Sequence, residues 1–224
     1  MNNLNHIAFI MDGNGRWGLK KKKNRNFGHL AGVETVQRIV EASIAYKVPI
    51  ISFYVFSTEN WKRPKTEIEY LFKLIDIYFK KEINNIIKNN IKVTISGRTK
   101  KLPIKIQNTL KTAMHKTKKN TKLTINLAIN YGFKTEIIDA INKINHSSKK
   151  ITEENIEKNF YSDLPFPDIL VRTGGQKRLS NFMLWQLSYA EIFFLDKLWP
   201  DFMKKDLKNI INKFQKVKRN FGSI

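Results

Sequence analysis

Apolar positions along the chain keep switching between two spacings. Residues 7–11 are five consecutive apolar positions, the pattern of a strand covered on both faces in a mostly parallel sheet. Leu30, Val33, Val36, Ile39, Val40 and Ile44 then recur at helical spacing and stop before Pro49. The β-branched and aromatic run 50–56 predicts a second strand. After it comes a long amphipathic helix with Ile68, Leu71, Phe72, Ile75, Phe79, Ile83, Ile86 and Ile87 on its apolar face and Thr66 as its expected N-cap, ahead of Glu67 and Glu69. Such a stripe reads as core, or as the lining of an apolar cavity, because it starts beside a polar loop. Strands are predicted at 91–96, 123–129 and 169–171, and helices at 104–116, 135–144 and 152–160, the last capped by Thr152. A terminal helix runs from 207 to 214 and onward into a basic, solvated tail. Strand followed by helix, repeatedly, predicts one α/β domain over residues 1–224, a mostly parallel sheet flanked by helices that binds its ligands beyond the carboxyl ends of the strands.

Three of those predicted strands run straight into polar, glycine-bearing or arginine-bearing stretches. The first is Asp12-Gly13-Asn14-Gly15-Arg16-Trp17, where glycines let the backbone approach an anion, Arg16 offers a planar fork and Asp12 can hold a divalent metal. An ordinary strand-to-helix turn would look much the same. Behind it lies a basic segment with Lys20 to Lys23, expected to be a solvated loop, and with Arg25 and His29, which share a face if a helix begins there. The second stretch is Ser57-Thr58-Glu59-Asn60-Trp61-Lys62-Arg63-Pro64. The third is Arg172-Thr173-Gly174-Gly175-Gln176-Lys177-Arg178-Leu179-Ser180, in which two guanidinium forks and a hydroxyl can clamp an anion. Glu191 follows in an apolar, aromatic setting, where an acid is either paired or a ligand.

The formal net charge of +22 invites a nucleic-acid reading. Lysine outnumbers arginine 33 to 8, however, and lysine, asparagine and isoleucine make up 85 of the 224 residues, the signature of an AT-rich coding sequence. Much of the charge is therefore a lysine surface with no dedicated partner. Five of the eight arginines, Arg16, Arg25, Arg63, Arg172 and Arg178, fall in the polar stretches. No apolar run is long enough to span a bilayer, the start of the chain lacks the features of a secretory signal, and there is no cysteine, so a cytoplasmic location is expected.

Taken in order, the stretches 6–17, 27–29, 56–64, 130–132, 172–182, 185–191 and 199–202 resemble those of the cis-prenyltransferases, specifically the bacterial undecaprenyl diphosphate synthases. The resemblance implies a homodimer with a central sheet of about six strands and an apolar substrate tunnel. It also implies a Mg²⁺-dependent isoprenyl transferase that condenses an allylic diphosphate, typically farnesyl diphosphate, with successive isopentenyl diphosphates in Z configuration, giving undecaprenyl diphosphate for the cell-wall glycan carrier lipid. Peripheral membrane contact for product release belongs to the same picture, and a specific nucleic acid does not. By resemblance, Asp12 is the metal-binding and catalytic carboxylate, and Gly13, Asn14, Gly15, Arg16 and Trp17, with Arg25 and His29, hold the allylic diphosphate. Ser57, Thr58, Glu59, Trp61 and Arg63 belong to a segment that closes over substrate, and Asn60 is its catalytic amide. An amide is a poor base at neutral pH, so positioning isopentenyl diphosphate or relaying a proton to a diphosphate oxygen suits Asn60 better. Arg172, Arg178, Leu179 and Ser180 fall in the isopentenyl diphosphate clamp, with Glu191 a second metal contact. The sequence departs from the family at Val55, Arg98, Phe133 and Gln176; Val55 would shorten the product if it faces the tunnel, and Gln176 would soften a salt bridge near the clamp. The chain contains no Asp-Asp-x-x-Asp motif, which argues against the all-helical trans-prenyltransferases.

Overall fold

The computed structural model describes residues 2–219. Six strands, β1 (His6–Ile10), β2 (Ile50–Ser57), β3 (Ile91–Ser96), β4 (Leu123–Tyr131), β5 (Ile169–Arg172) and β6 (Glu191–Phe194), form one sheet in the order β3-β4-β2-β1-β5-β6. Every adjacent pair is parallel. Among the described residues seven α-helices accompany them: α1 (Asn14–Lys22), α2 (Arg25–Ala45), α3 (Lys65–Lys88), α4 (Ile104–Thr117), α5 (Phe133–His146), α6 (Glu153–Glu157) and α7 (Lys204–Phe214). From β1 the chain builds the sheet outward on one side through β2, while β5 and β6 extend it on the other. The crevice at such a reversal is where open α/β sheets bind ligands, and here it lies between the carboxyl ends of β1 and β5, with Ile10 in register with Arg172.

All five residues of β1 are buried. The main core packs Phe9 and Phe53 against Trp199 and Phe202, with Phe9 and Phe53 stacked at 5.3 Å between centroids. Trp199 is fully buried and donates its indole N–H to Gly32 O at 2.9 Å, which ties the 199–202 stretch to α2. His6 is a polar exception inside the sheet, and its two ring nitrogens are both engaged. Nδ1 lies 2.6 Å from Pro165 O and so must carry the proton, leaving Nε2 to accept from Ser52 Oγ at 2.7 Å. Ser52 in turn accepts from Asn126 Nδ2, and Asn126 Oδ1 accepts from Ser96 Oγ, so one hydrogen-bonded chain crosses β1, β2, β4 and β3. Burial lowers the His6 pKa to about 4, which keeps the ring neutral.

Several local expectations are corrected. Residues 14–22 form a helix rather than a solvated loop, although Lys20 and Lys21 are exposed as expected. The long helix begins at Lys65 with Pro64, not Thr66, at the capping position; a proline just ahead of a helix removes no hydrogen bond the helix needs. Ile87 is exposed, while Leu74 and Tyr78 join the inner face. The strand β6 had no sequence prediction. Thr152 does cap α6, its hydroxyl accepting from Asn155 N at 3.2 Å, but that helix ends at Glu157. In the basic tail Lys216 and Lys218 are exposed, Arg219 pairs with Asp168 at 3.0 Å, and residues 220–224 lie outside the described part.

Candidate active site

A cavity of about 700 Å³ opens at the carboxyl ends of β1, β2 and β5 and continues inward between α2 and α3. Its mouth is polar and its depth is apolar.

At the mouth, β1 ends in Asp12 and a turn at Gly13, whose φ of 107° lies in the region L side chains avoid and where a Cβ would meet Leu198 at 2.7 Å. α1 starts at the next residue with no side-chain cap and no acid in its first turn, so its leading N–H groups are available to an anion. Gly15 leaves room for Arg25, whose guanidinium would stand 2.6 Å from a Cβ there. Asp12 is held by one arginine from each flank. Arg16 Nη2 donates to Oδ1 at 3.1 Å and also to Gly174 O at 2.7 Å, and Arg172 Nη2 donates to Oδ2 at 2.9 Å. Arg172, 3% exposed, donates through Nη1 to Ser180 Oγ at 2.7 Å and to Arg178 O, while its Nε is buried with no partner in the protein. Asn14 Oδ1 is likewise buried and unpartnered, 3.1 Å separating its Nδ2 from Met11 O. Both atoms are closed to solvent beside the cavity lining, Asn14 Oδ1 facing Gly32 of α2.

A second group of cations gathers on Glu67, which sequence reasoning had placed only in the first turn of a helix. This buried carboxylate accepts from Arg25 Nε at 3.0 Å, His29 Nε2 at 3.1 Å and Arg63 Nη1 at 3.2 Å. Burial pushes the Glu67 carboxyl up, but Arg25, Arg63 and His29 together outweigh it and hold the pKa below the usual carboxylate range. His29 is lowered by burial against the pull of Glu67, so its ring tends to the neutral form. The spacing of Arg63 and Glu67, four residues apart at a helix start, was the available signal.

The segment between β2 and α3 forms a short 3₁₀ turn, Thr58–Lys62, in which Asn60 Oδ1 accepts from Ser57 N at 3.1 Å. Trp61 packs edge-on against Phe56 and near Phe72 and donates to Asn130 Oδ1 at 2.8 Å. Glu59 accepts from Asn181 Nδ2 at 2.8 Å.

Of the residues singled out from sequence, Asp12, Gly13, Asn14, Gly15, Arg16, Arg25, His29, Ser57, Glu59, Asn60, Arg63, Arg172, Arg178 and Ser180 line this one cavity. Trp17, Thr58, Trp61, Leu179 and Glu191 do not. Trp17 turns away to stack on Phe27 and donate to Asp201 at 2.7 Å; Leu179 packs in the smaller core cluster with Phe182. Glu191 pairs with Ile169 while Phe194 pairs with Arg172, which puts Glu191 three residues toward the amino end of the edge strand, about 10 Å short of the site level. Within this chain it does not meet Asp12. Gln176 gives Arg178 a neutral partner at 2.6 Å, and Arg98 forms a paired fork with Asp139 at 2.8 and 2.5 Å, outside the cavity. Phe133 opens α5. Val55 does line the cavity, together with Val33 and Val36 of α2 and Leu71, Leu74, Ile75, Tyr78 and Phe79 of α3. The α3 stripe is therefore both core and cavity wall.

Among the described residues no group of three His, Cys, Asp or Glu side chains could hold a metal. The single carboxylate of Asp12 beside an anion-receiving helix start suits Mg²⁺, which binds through one or two carboxylates and completes its shell with substrate phosphate oxygens and water. A zinc-type closed site is not built here.

Anion-receiving groups from two flanks of a parallel sheet, over an apolar cavity, define a transferase that handles diphosphate-activated apolar substrates. A family model described as "Putative undecaprenyl diphosphate synthase" matches residues 10–222. The isoprenyl transferase of Fusobacterium nucleatum is 44% identical over 98% of this chain and 96% of its own length, and that of Rickettsia bellii is 44% identical over 99% of both. Among solved structures, a probable undecaprenyl diphosphate synthase from Campylobacter jejuni superposes with a TM-score of 0.86 at 38% identity over 100% of both chains. Lavandulyl diphosphate synthase from Lavandula x intermedia, solved in complex with dimethylallyl diphosphate, superposes at 0.93 with 27% identity over 98% of both. The chain belongs to the undecaprenyl diphosphate synthase family of isoprenyl transferases.

Proposed function

We propose that the protein joins an allylic diphosphate, farnesyl diphosphate in the first round, to successive isopentenyl diphosphates in Z configuration and so makes a long-chain polyprenyl diphosphate, undecaprenyl diphosphate for the carrier lipid of cell-wall glycans. The observation that carries this reading is Asp12, held by Arg16 from one anion-receiving flank and by Arg172 from the other, at the mouth of an apolar cavity. Two diphosphates bound side by side would bring an allylic carbon next to an isopentenyl double bond, with the growing chain directed between α2 and α3.

In this reading the start of α1, with Arg16, Arg25 and His29, receives the allylic diphosphate. Arg172, Arg178 and Ser180 receive isopentenyl diphosphate, with Arg63 between the two. The allylic carbon–oxygen bond breaks, the isopentenyl double bond supplies the electron pair of the new carbon–carbon bond, and a proton leaves the isopentenyl unit to a diphosphate oxygen. Guanidinium forks stabilise the charge that develops on the departing diphosphate. Asn60 orients the isopentenyl group, its Oδ1 committed to Ser57 N. Mg²⁺ on Asp12 supplies further charge neutralisation when bound. Glu191 joins such a metal only if a second copy presents it, which fits a homodimer formed through edge strand β6, where Ile192 and Phe194 are exposed. Residues 1–224 are read as one catalytic domain. No described helix is long and apolar enough to cross a membrane, and a cytoplasmic enzyme that meets the bilayer only to release product completes the proposal. The test is incubation of the purified protein with farnesyl diphosphate, radiolabelled isopentenyl diphosphate and Mg²⁺. Label should pass into an apolar product; no incorporation with any allylic primer would refute the assignment.

A further inference from the structure

Asn60 is straddled by two residues that are themselves gripped from outside their own segment. Glu59, one position before it, accepts from Asn181 Nδ2 at 2.8 Å, and Trp61, one position after it, donates to Asn130 Oδ1 at 2.8 Å. Both asparagines sit in left-handed backbone, φ 62° for Asn181 and 50° for Asn130, a conformation asparagine accepts more readily than other side chains. Each is anchored at its other end to a separate element. Asn130 Nδ2 donates to Arg98 O at 2.9 Å, and Asn181 Oδ1 accepts from Lys134 N at 2.9 Å where α5 begins.

The chemistry of these four contacts calls for side chains that donate at one end and accept at the other. An indole N–H and a peptide N–H can only donate, while a carboxylate and a peptide carbonyl can only accept. A side chain between such a pair must offer one acceptor and one donor on a short stem, which describes asparagine. Aspartate at 181 would turn a like charge toward Glu59, and at 130 would lose the donor to Arg98 O.

We infer that Asn130 and Asn181 are positioning residues that hold Asn60 over the isopentenyl site by fixing Trp61 and Glu59 on either side of it. This deepens the proposed function and rests on it. Asn130 ties the segment to the end of β4, and Asn181, itself next to Ser180, ties it to the clamp, so the amide and the clamp keep one relative placement.

The experiment is the single-turnover rate of the first condensation, measured with farnesyl diphosphate, isopentenyl diphosphate and Mg²⁺. Asn130→Gly and Asn181→Gly delete the amides without straining the left-handed backbone. Each should slow the step about tenfold, the scale of a lost hydrogen bond to a buried or charged partner, with a lowered melting temperature but a protein still fully folded at the assay temperature, and with KM for the allylic substrate unchanged. Asn181→Asp should be slower than Asn181→Gly. Combining Asn130→Gly with Trp61→Phe, or Asn181→Gly with Glu59→Gln, should cost no more than the worse single change, because each pair is one contact. Full rates in the glycine variants, additive doubles, or rate losses that track loss of folded protein would overturn the inference while the wild type still elongates. A wild type inert toward every primer would overturn it together with the reading beneath it.

Discussion

The two anion-receiving flanks are built by different means. On the β1 flank, regular structure does the placing: a helix start at Asn14, then α2 carrying Arg25 and His29 on one face, with Glu67 of α3 accepting from both. On the β5 flank, residues 173–182 have no regular secondary structure, and Gly174, Gly175, Ser180 and Asn181 all have positive φ. There the placing is done by hydrogen bonds that radiate from Arg172 to Asp12, Ser180 and Arg178. A helix start offers backbone N–H groups that no side-chain truncation removes, whereas a clamp of side chains depends on each fork separately. The first flank should therefore tolerate single losses better than the second, except at the two carboxylates that many groups share.

Asp12→Ala strikes the point common to both flanks and should give the largest effect. It leaves Arg16 and Arg172 without their shared anion and removes the proposed metal contact, so label incorporation should fall by about a thousandfold. Glu67→Gln keeps the shape of the hub and removes its charge. The two partly exposed guanidinium groups of Arg25 and Arg63, with the His29 ring, then face a neutral amide, and chemical unfolding should show a loss of about 2 kcal/mol. Retention of full stability would mean that the cations, and not Glu67, organise that flank.

The frame beneath both flanks is tested by pH. His6 titrates near 6.5 when unfolded and at about 4 in the sheet, so the unfolded chain takes up the proton first as pH falls. Stability is then complete above about pH 6.5, declines between 6.5 and 4, and levels off below, losing about 3 kcal/mol from this group. Denaturant midpoints measured from pH 7.5 to 4 should show the decline, and His6→Gln should flatten it. The smallest effects separate the flanks: Arg25→Ala should raise KM for the allylic substrate a few fold, because the helix start remains. Arg178→Ala should raise KM for isopentenyl diphosphate about tenfold, because no backbone donor replaces the fork. Equal effects would erase the distinction between the two modes of construction.

Strand ends carrying Asp12, Ser57 and Arg172 were legible in the chain because a buried parallel strand must be continuously apolar, and a sudden run of polar residues then announces a ligand-facing loop. Arg25 and His29 were legible as a pair from their spacing, and α2 does begin at Arg25. The helix α1 was not, since Gly15 and Gly18 speak against one and a run of lysines reads as a solvated loop; close packing on α2, where a Cβ on Gly18 would stand 2.2 Å from Asn24 O, overrides the glycine propensity. The strand β6 was not separated from the apolar, aromatic stretch around Glu191, although β5, of the same four-residue length, was legible. The roles of Glu67, Asn130 and Asn181 were hidden for a different reason. Apart from Arg63, four positions before Glu67, their side-chain partners lie 32 to 122 positions away, and nothing local in the sequence records a contact that only the fold creates. Trp17 and Trp61 sit in the matching motifs but outside the cavity lining, Trp17 packed on Phe27 and Trp61 on Phe56.

The helix α3 runs inward from Glu67 with Leu71, Leu74, Ile75, Tyr78 and Phe79 facing the cavity. Its pitch of about 5.4 Å spaces these side chains as graduations, each turn one mark farther from the polar mouth. The helix is in effect a measuring rod laid alongside whatever chain fills the cavity, and its sequence can be re-cut one mark at a time without touching the groups that perform the chemistry.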